Sequence, residues 1–311
     1  MASNEQMDED VVMTSGDSDF YGDDDLVRDL ENRANDIDVQ KWWQTHGALD
    51  TPLKIQGRSE SNLKSSSHLH NPWAGDPYAW QLTESVDEFL GRLPPDTTVV
   101  TPSHAWIWVC NPYIKRKSKG AADNQRVRGG EGEIPEDEGA DLPKLMQAGE
   151  ERLHFASAFI NQFQQPGMCQ ALVARESEKA GMDAAKDILE LAKGLRVTCG
   201  KWMLFCTVFE VNYVWEIIAK ATANNELGIG AKVAAKANVD QRKERLICVY
   251  TADFSDRKDV VRVARKLKQL GLLKGKPLYY KPDAFTYLGI ASGNPWGIKP
   301  SIYDTRSLLG Q

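Results

Sequence analysis

From Gly200 to Ile290 the chain alternates short aromatic and β-branched runs with amphipathic stretches, and this alternation limits its folds more than any other feature. "GKWMLFCTV" (200–208) and "ERLICVYTAD" (244–253) are rich in Val, Ile, Trp and Phe and read as strands. Between them, "EVNYVWEIIAKATANNELG" (210–228) sets Val211, Val214, Trp215 and Ile218 on one helical stripe that closes at Gly228. "GAKVAAKAN" is expected to pair with the 244–253 strand across a hairpin. "DRKDVVRVARKLKQLGLL" (256–273) turns Val260, Val263, Ala264 and Leu267 inward, presents a basic outer face, and is capped by Ser255 or Asp256.

Upstream, "AWIWVCN" (105–111) is a further buried strand. "TESVDEFLGRLPP" is a helix capped by Thr83 and Glu84 and stopped by proline. "PKLMQAGEERLHFASAFINQF" carries Leu153, Ala156, Ile160 and Phe163 on one stripe, and "DAAKDILELAKG" (183–194) is another helix ended by Gly194. Strands interleaved with helices and hairpin-like loops define an α+β protein, a sheet backed by helices on one face.

Charge divides the chain. Residues 1–40 hold 13 acidic side chains and two arginines, a balance of −11; with −6 overall, residues 41–311 carry +5. The expected organisation is a disordered acidic and Ser-rich tail over 1–70 and one α+β domain over 71–311. Trp42 and Trp43 form an apolar island in that tail. Basic and then acidic blocks with glycines between 114 and 142 suggest a mobile charged insert. No run is long and apolar enough to span a bilayer, and "MASNEQMDED" is not a secretory leader, so the expected setting is the cytoplasm or the nucleus, without a membrane partner.

No motif in the sequence demands catalysis. The five cysteines lack a C-x-x-C pair and are expected as buried thiols; His68 and His70 have no further ligands at metal spacing. "GIGAKV" (228–233) follows a helix rather than a strand, so it reads as a helix stop and a turn. The chain is expected to be no enzyme and to need no cofactor or metal. Basic side chains at Lys232, Lys236, Arg242, Lys243 and Arg245, on a hairpin at a sheet edge, can meet phosphates without being buried. In "YYKPDAFTYLGI" (279–290) the proline breaks the run, and a strand over Phe285–Ile290 would show Phe285 and Tyr287 on one face. That face beside Lys281 could wall a planar ligand.

The blocks "GKWMLF", "ERLICVYTADFSDR", "YYKPDAFTYLGI" and "SIYDTR", in this order over residues 195–308, resemble the basophilic leukaemia-expressed protein family. The resemblance implies a fold similar to translation initiation factor 4E: a curved, mainly antiparallel sheet with helices on its convex back. It implies phosphate-side lysines at Lys236 and Lys243 and structural roles for Trp108 and Trp202. It offers only Tyr113 near the first cap-stacking position, and "LELAKG" has no ring at the second. The expected function is thus non-catalytic binding of RNA or a nucleotide, outside standard methyl-cap recognition. Lys236, Lys243, Arg245 and Lys281 would hold phosphates; Tyr113, Tyr279, Tyr287 and Trp296 would stack. The alternative is a protein-interaction scaffold that meets its partner through the N-terminal tail.

Overall fold

The computed structural model describes residues 69–116, 132–163, 169–237, 244–273 and 275–310. The acidic tail, the Trp42–Trp43 island, most of the charged insert and Lys243 lie outside these residues. The described residues fall in a unit that runs Ser65–Gln311.

Six strands form one sheet: β1 (Trp106–Cys110), β2 (Gly200–Thr207), β3 (Gly230–Ala234), β4 (Glu244–Thr251), β5 (Tyr279–Pro282) and β6 (Tyr303–Asp304). Their order is β1-β3-β4-β2-β5-β6, and every pairing is antiparallel. The α+β class and the antiparallel sheet therefore stand. At the β1 edge the segment around Tyr78–Trp80 exchanges backbone hydrogen bonds with Trp108, which covers that edge against further pairing.

Register sorts the side chains into two faces. Cross-strand partners point the same way, so Trp202, Leu204, Ile247, Val249, Ala231, Val233, Ile107 and Val109 share one face. The other face carries Lys201, Met203 and Phe205 of β2, Tyr250 of β4, Lys232 of β3, Trp106 and Trp108 of β1, and Tyr279 and Lys281 of β5.

Seven helices occur among the described residues: α1 (Val86–Arg92), α2 (Leu142–Phe163), α3 (Gln170–Gly194), α4 (Val211–Ala223), α5 (Arg257–Gln269), α6 (Asp283–Tyr287) and α7 (Thr305–Leu309). The Trp202 indole donates to the Val260 carbonyl at 3.1 Å, which fixes α5 against the first, aliphatic face. Helix α4 packs on the same face, because Trp73, Glu133 and Ile134 already occupy the other side of β1 and β3. Val211, Val214, Trp215 and Ile218 are all buried, as the stripe predicts. Asp256 caps α5, accepting from the amides of Lys258 and Asp259. The cap of α1 is Ser85 in a reciprocal capping box with Glu88, two residues after Thr83 and one after Glu84.

Two expectations differ. Helix α3 begins at Gln170 rather than near Asp183. The residues after Pro282 form the short helix α6, not a strand; proline at its N-cap gives the turn, and five residues are too few to display a helical period. Phe285 consequently joins Leu153, Ala156, Ala184, Ile188, Leu288, Ile290 and Ile298 in a second buried cluster beneath the α2–α3 pair. Two glycines let these helices close in: a Cβ at Gly149 would strike Leu288, and one at Gly181 would strike the Trp296 carbonyl.

Gly228 shows the same constraint at the sheet, since a Cβ there would overlap the Tyr250 carbonyl. Gly228→Ala should lose about 3 kcal/mol in urea unfolding. Gly194→Ala, whose added carbon meets nothing, should change stability by less than about 1 kcal/mol. Equal effects at the two positions would contradict the packing described.

Candidate functional site

Of the eight residues expected to bind a ligand, the seven that the structure describes do not converge on one hollow. Tyr113 is exposed just past the Cys110 end of β1, whereas Lys236 is exposed beyond the Ala234 end of its neighbour, which faces Trp106. Arg245 pairs in register with Cys206 and lies on the helix-backed face, buried, on the opposite side of the sheet from Lys281 and Tyr279. Tyr287 is buried on α6, its hydroxyl donating to Glu136 at 3.4 Å, and cannot stack on a ligand. Trp296 is half-buried and donates its indole N–H to Ser157 of α2 at 2.8 Å, a clamp between the C-terminal segment and the helix pair. Tyr279 is 50% exposed and Lys281 half-buried, and these two do share an outward face. Lys243 lies outside the described residues.

That face is divided in two. One half holds an ionic cluster, built where residues 132–136 of the expected charged loop instead fold into the body. Ile134 is buried against Gly230, and Arg116, itself buried, donates to the Pro135 carbonyl at 2.7 and 3.2 Å and to Cys199 Sγ at 2.8 Å. Glu133 is thereby set over the sheet. Its carboxylate accepts from Lys201 at 2.6 Å, from Lys232 at 3.1 Å and from the Tyr250 hydroxyl at 2.6 Å. Lys201 also donates to Asp283 at 2.8 Å, and Lys232 to the Gly132 carbonyl. The Lys232 ammonium stands 4.1 Å from the centre of the Trp106 ring, a further cationic contact.

Charge states follow from this geometry. Burial works to raise Glu133, but Lys232 and Lys201 outweigh it and hold the carboxyl below its ordinary range. Burial likewise works to lower Lys201, and Asp283 with Glu133 more than reverses it. For Lys232 burial prevails over Glu133 and its value falls. Burial pushes Asp283 up to about 6 against the pull of Lys201. Burial, reinforced by Asp283, pushes Glu136 up to about 7. Two lysines against Glu133 and Asp283 leave the cluster with no surplus charge for a ligand.

The other half of the face is open. Met203 is opposite Tyr279, and Phe205 is the next residue of β2 on that side, with Leu246 across from it on β4. Phe205 is 60% exposed, an unusual state for a phenylalanine in a strand. Phe205, Lys201 and Glu133 were not among the expected site residues, and Lys232, expected to meet phosphates with the other hairpin basics, is buried against Glu133 instead. A signal was present: Lys201, Met203 and Phe205 alternate with Trp202, Leu204 and Cys206, so one side of β2 is wholly apolar and the other is not. Glu133 had no such signal, because it stands among many charges in the insert. Among the described residues no group of three His, Cys, Asp or Glu is placed to hold a metal ion, and no helix is long and apolar enough to cross a membrane.

The architecture and this face define an α+β protein with a single antiparallel sheet, one side of which is partly open. The profile of basophilic leukaemia-expressed protein Bles03 matches residues 30–289, and the chain belongs to that family. Among solved structures it is similar to Ascaris suum eIF4E-3 in complex with an m2,2,7G cap, at 14% identity and a TM-score of 0.27. The same protein with an m7G cap gives 17% and 0.25. Each likeness covers 35% of this chain, and the chain spans 58% of the length of those structures.

Two neighbouring carboxylates should respond in opposite ways. Glu133→Ala leaves two buried cations short of a partner and should cost about 3–5 kcal/mol. Glu136 and Asp283 keep protons in the folded state that the unfolded chain has already released, so their contribution lowers stability as pH rises from about 4 to about 7. Glu136→Gln should therefore raise stability at pH 7.5 by on the order of 2 kcal/mol and flatten the fall between pH 5 and 7. Thermal melts over that range check both. A Glu136→Gln protein less stable than the parent at pH 7.5 would contradict the assignment.

Proposed function

We propose that this protein is a non-catalytic binder of single-stranded RNA or a nucleotide, and that the base is held on the open half of the sheet face. The observation that carries the reading is the pair of exposed rings, Phe205 and Tyr279, on adjacent strands. Diagonal neighbours of this kind stand about 7–8 Å apart. That is about twice the contact distance of 3.5–4 Å between carbon atoms, room for one planar base between two rings. Lys281 follows Tyr279 on the same side, and Lys236 is exposed at the Phe205 end of the sheet, where β3 and β2 finish together. The balance of +5 over residues 41–311 agrees with an anionic ligand. Lys201 and Lys232 are neutralised inside, so few phosphates can be met. Asp283 is held by Lys201 in the ionic cluster, and Glu136 accepts from the Tyr287 hydroxyl and the Cys199 amide, so both carboxylates are engaged within the protein, which supports a binding role.

The reading has a quantitative signature. With two phosphate contacts on a single strand, log K should fall with log salt at a slope of about −1.4. Phe205→Ala and Tyr279→Ala should each weaken binding of oligouridine by about 1–3 kcal/mol, and Lys236→Ala with Lys281→Ala should flatten the salt dependence. Fluorescence anisotropy with a labelled oligonucleotide measures all three. Undetectable binding in 50 mM salt (roughly the range where contacts of this kind are strongest), or binding indifferent to both ring substitutions, would overturn it.

A second reading, a protein-interaction scaffold, is favoured by Phe209 and Tyr213 at the β2–α4 turn, which are 96% and 64% exposed. Its partner would also meet the tail. Removing residues 1–70 should then abolish partner binding, whereas it should strengthen RNA binding under the first reading by taking away −11 of competing charge from residues 1–40.

A further inference from the structure

Away from the sheet face, a groove of about 500 Å³ runs between α3 and the C-terminal segment. At Gly181 the helix touches that segment, its missing Cβ making room for the Trp296 carbonyl. Beyond Gly181 the groove is lined on the helix side as far as Lys193 and on the other side by Gly297–Lys299 and Ser301–Tyr303. Lining residues on the helix fall at 178, 181, 182, 185, 186, 189, 190 and 193, a stripe of one helical face extending over about 22 Å at 1.5 Å per residue. The groove is therefore elongated. Its apolar lining is Phe254, Phe285 and Ile302, continued on the helix by Ala185 and Leu189. Tyr303 ties the far wall to the base by donating to the Phe254 carbonyl at 3.2 Å.

The charged lining residues are Lys186, Lys193 and Lys299 against Glu178 and Glu190, so the rim is cationic by one charge. Lys193 pairs with Glu190 at 2.9 Å. Lys186 and Lys299, which flank the groove from the helix and from the C-terminal segment, form no ion pair among the described residues. Met182, at the Gly181 end, leaves 60% of its surface exposed. A volume of this size suits a small molecule. An elongated apolar base with two unengaged ammonium groups above it suits a flexible apolar chain that ends in one negative charge. A nucleobase fits worse, since Phe254 and Phe285 are almost wholly buried and leave little ring surface to stack on.

We propose that this groove is a binding site for an acyl carboxylate, the chain lying along Ala185, Leu189 and Ile302 and the carboxylate held by Lys186 and Lys299. The site is separate from the rings of the sheet face, so its occupancy does not depend on the RNA reading. Dodecanoate, below its micelle concentration, is the probe, and calorimetry on the full-length protein the measurement. One dodecanoate should bind and raise the melting temperature, while dodecylammonium should not. Lys186→Glu with Lys299→Glu should weaken dodecanoate about tenfold without lowering the melting temperature of the free protein, because both side chains are exposed. Ala185→Phe, which fills the groove, should remove binding; if that variant unfolds, Leu189→Ala, which widens it, should alter the preferred chain length. No binding, equal binding of dodecylammonium, preference for an acidic peptide over dodecanoate, or affinity unchanged by the double charge reversal would each overturn the proposal.

Discussion

Two lysines in the interior of an antiparallel sheet would ordinarily defeat it, because an unpaired buried ammonium costs several kcal/mol. Lys201 and Lys232 are tolerated because Glu133 reaches both with one carboxylate and Tyr250 donates to the same group. Much else follows from placing Glu133 there. Residues 132–136 must lie across the sheet, Ile134 must enter the core against Gly230, and Arg116 must turn inward to hold the Pro135 carbonyl. The chain between β1 and α2 is thus anchored at both its described ends, and half of one sheet face is closed. What remains open is the strip of Met203, Phe205, Leu246 and Tyr279.

The division of the face also sets what the protein can do with charge. An interior cluster that neutralises itself gives stiffness and a fixed position for its neighbours, but it attracts nothing. Under the readings proposed above, an anion would be met by peripheral lysines, such as Lys236 and Lys281 on the sheet face and Lys186 and Lys299 along the α3 groove. Their contacts with solvent keep each contribution small. Rings and apolar surface must supply most of the binding energy in either place. Affinity would accordingly come from shape and stacking, with modest dependence on salt.

The fold was largely legible because its elements have strong periods. The β2 and β4 runs and the stripes of α4 and α5 stand where alternation and the 3.6-residue repeat place them. The site was not. Arg245 and Lys281 look alike in the sequence, yet a parity difference along paired strands sends them to opposite faces. Tyr287 looks like a ring on a strand, but Pro282 turns the chain into a helix and buries it. Glu133 belongs to a glycine-rich charged stretch whose composition signals a loop, and only the three-dimensional meeting with two distant lysines distinguishes it. Phe205 was hidden for the opposite reason, since a phenylalanine in an apolar strand is normally core.

Glu133 acts as the ionised hub of this interior, a state that carboxyl NMR titration of selectively labelled protein reads without any substitution. The Glu133 resonance should stay at its ionised position throughout the range over which ordinary glutamates titrate, with Glu136 moving only near pH 7. A Glu133 carboxyl that takes up its proton at or above the ordinary 4.5 would contradict it.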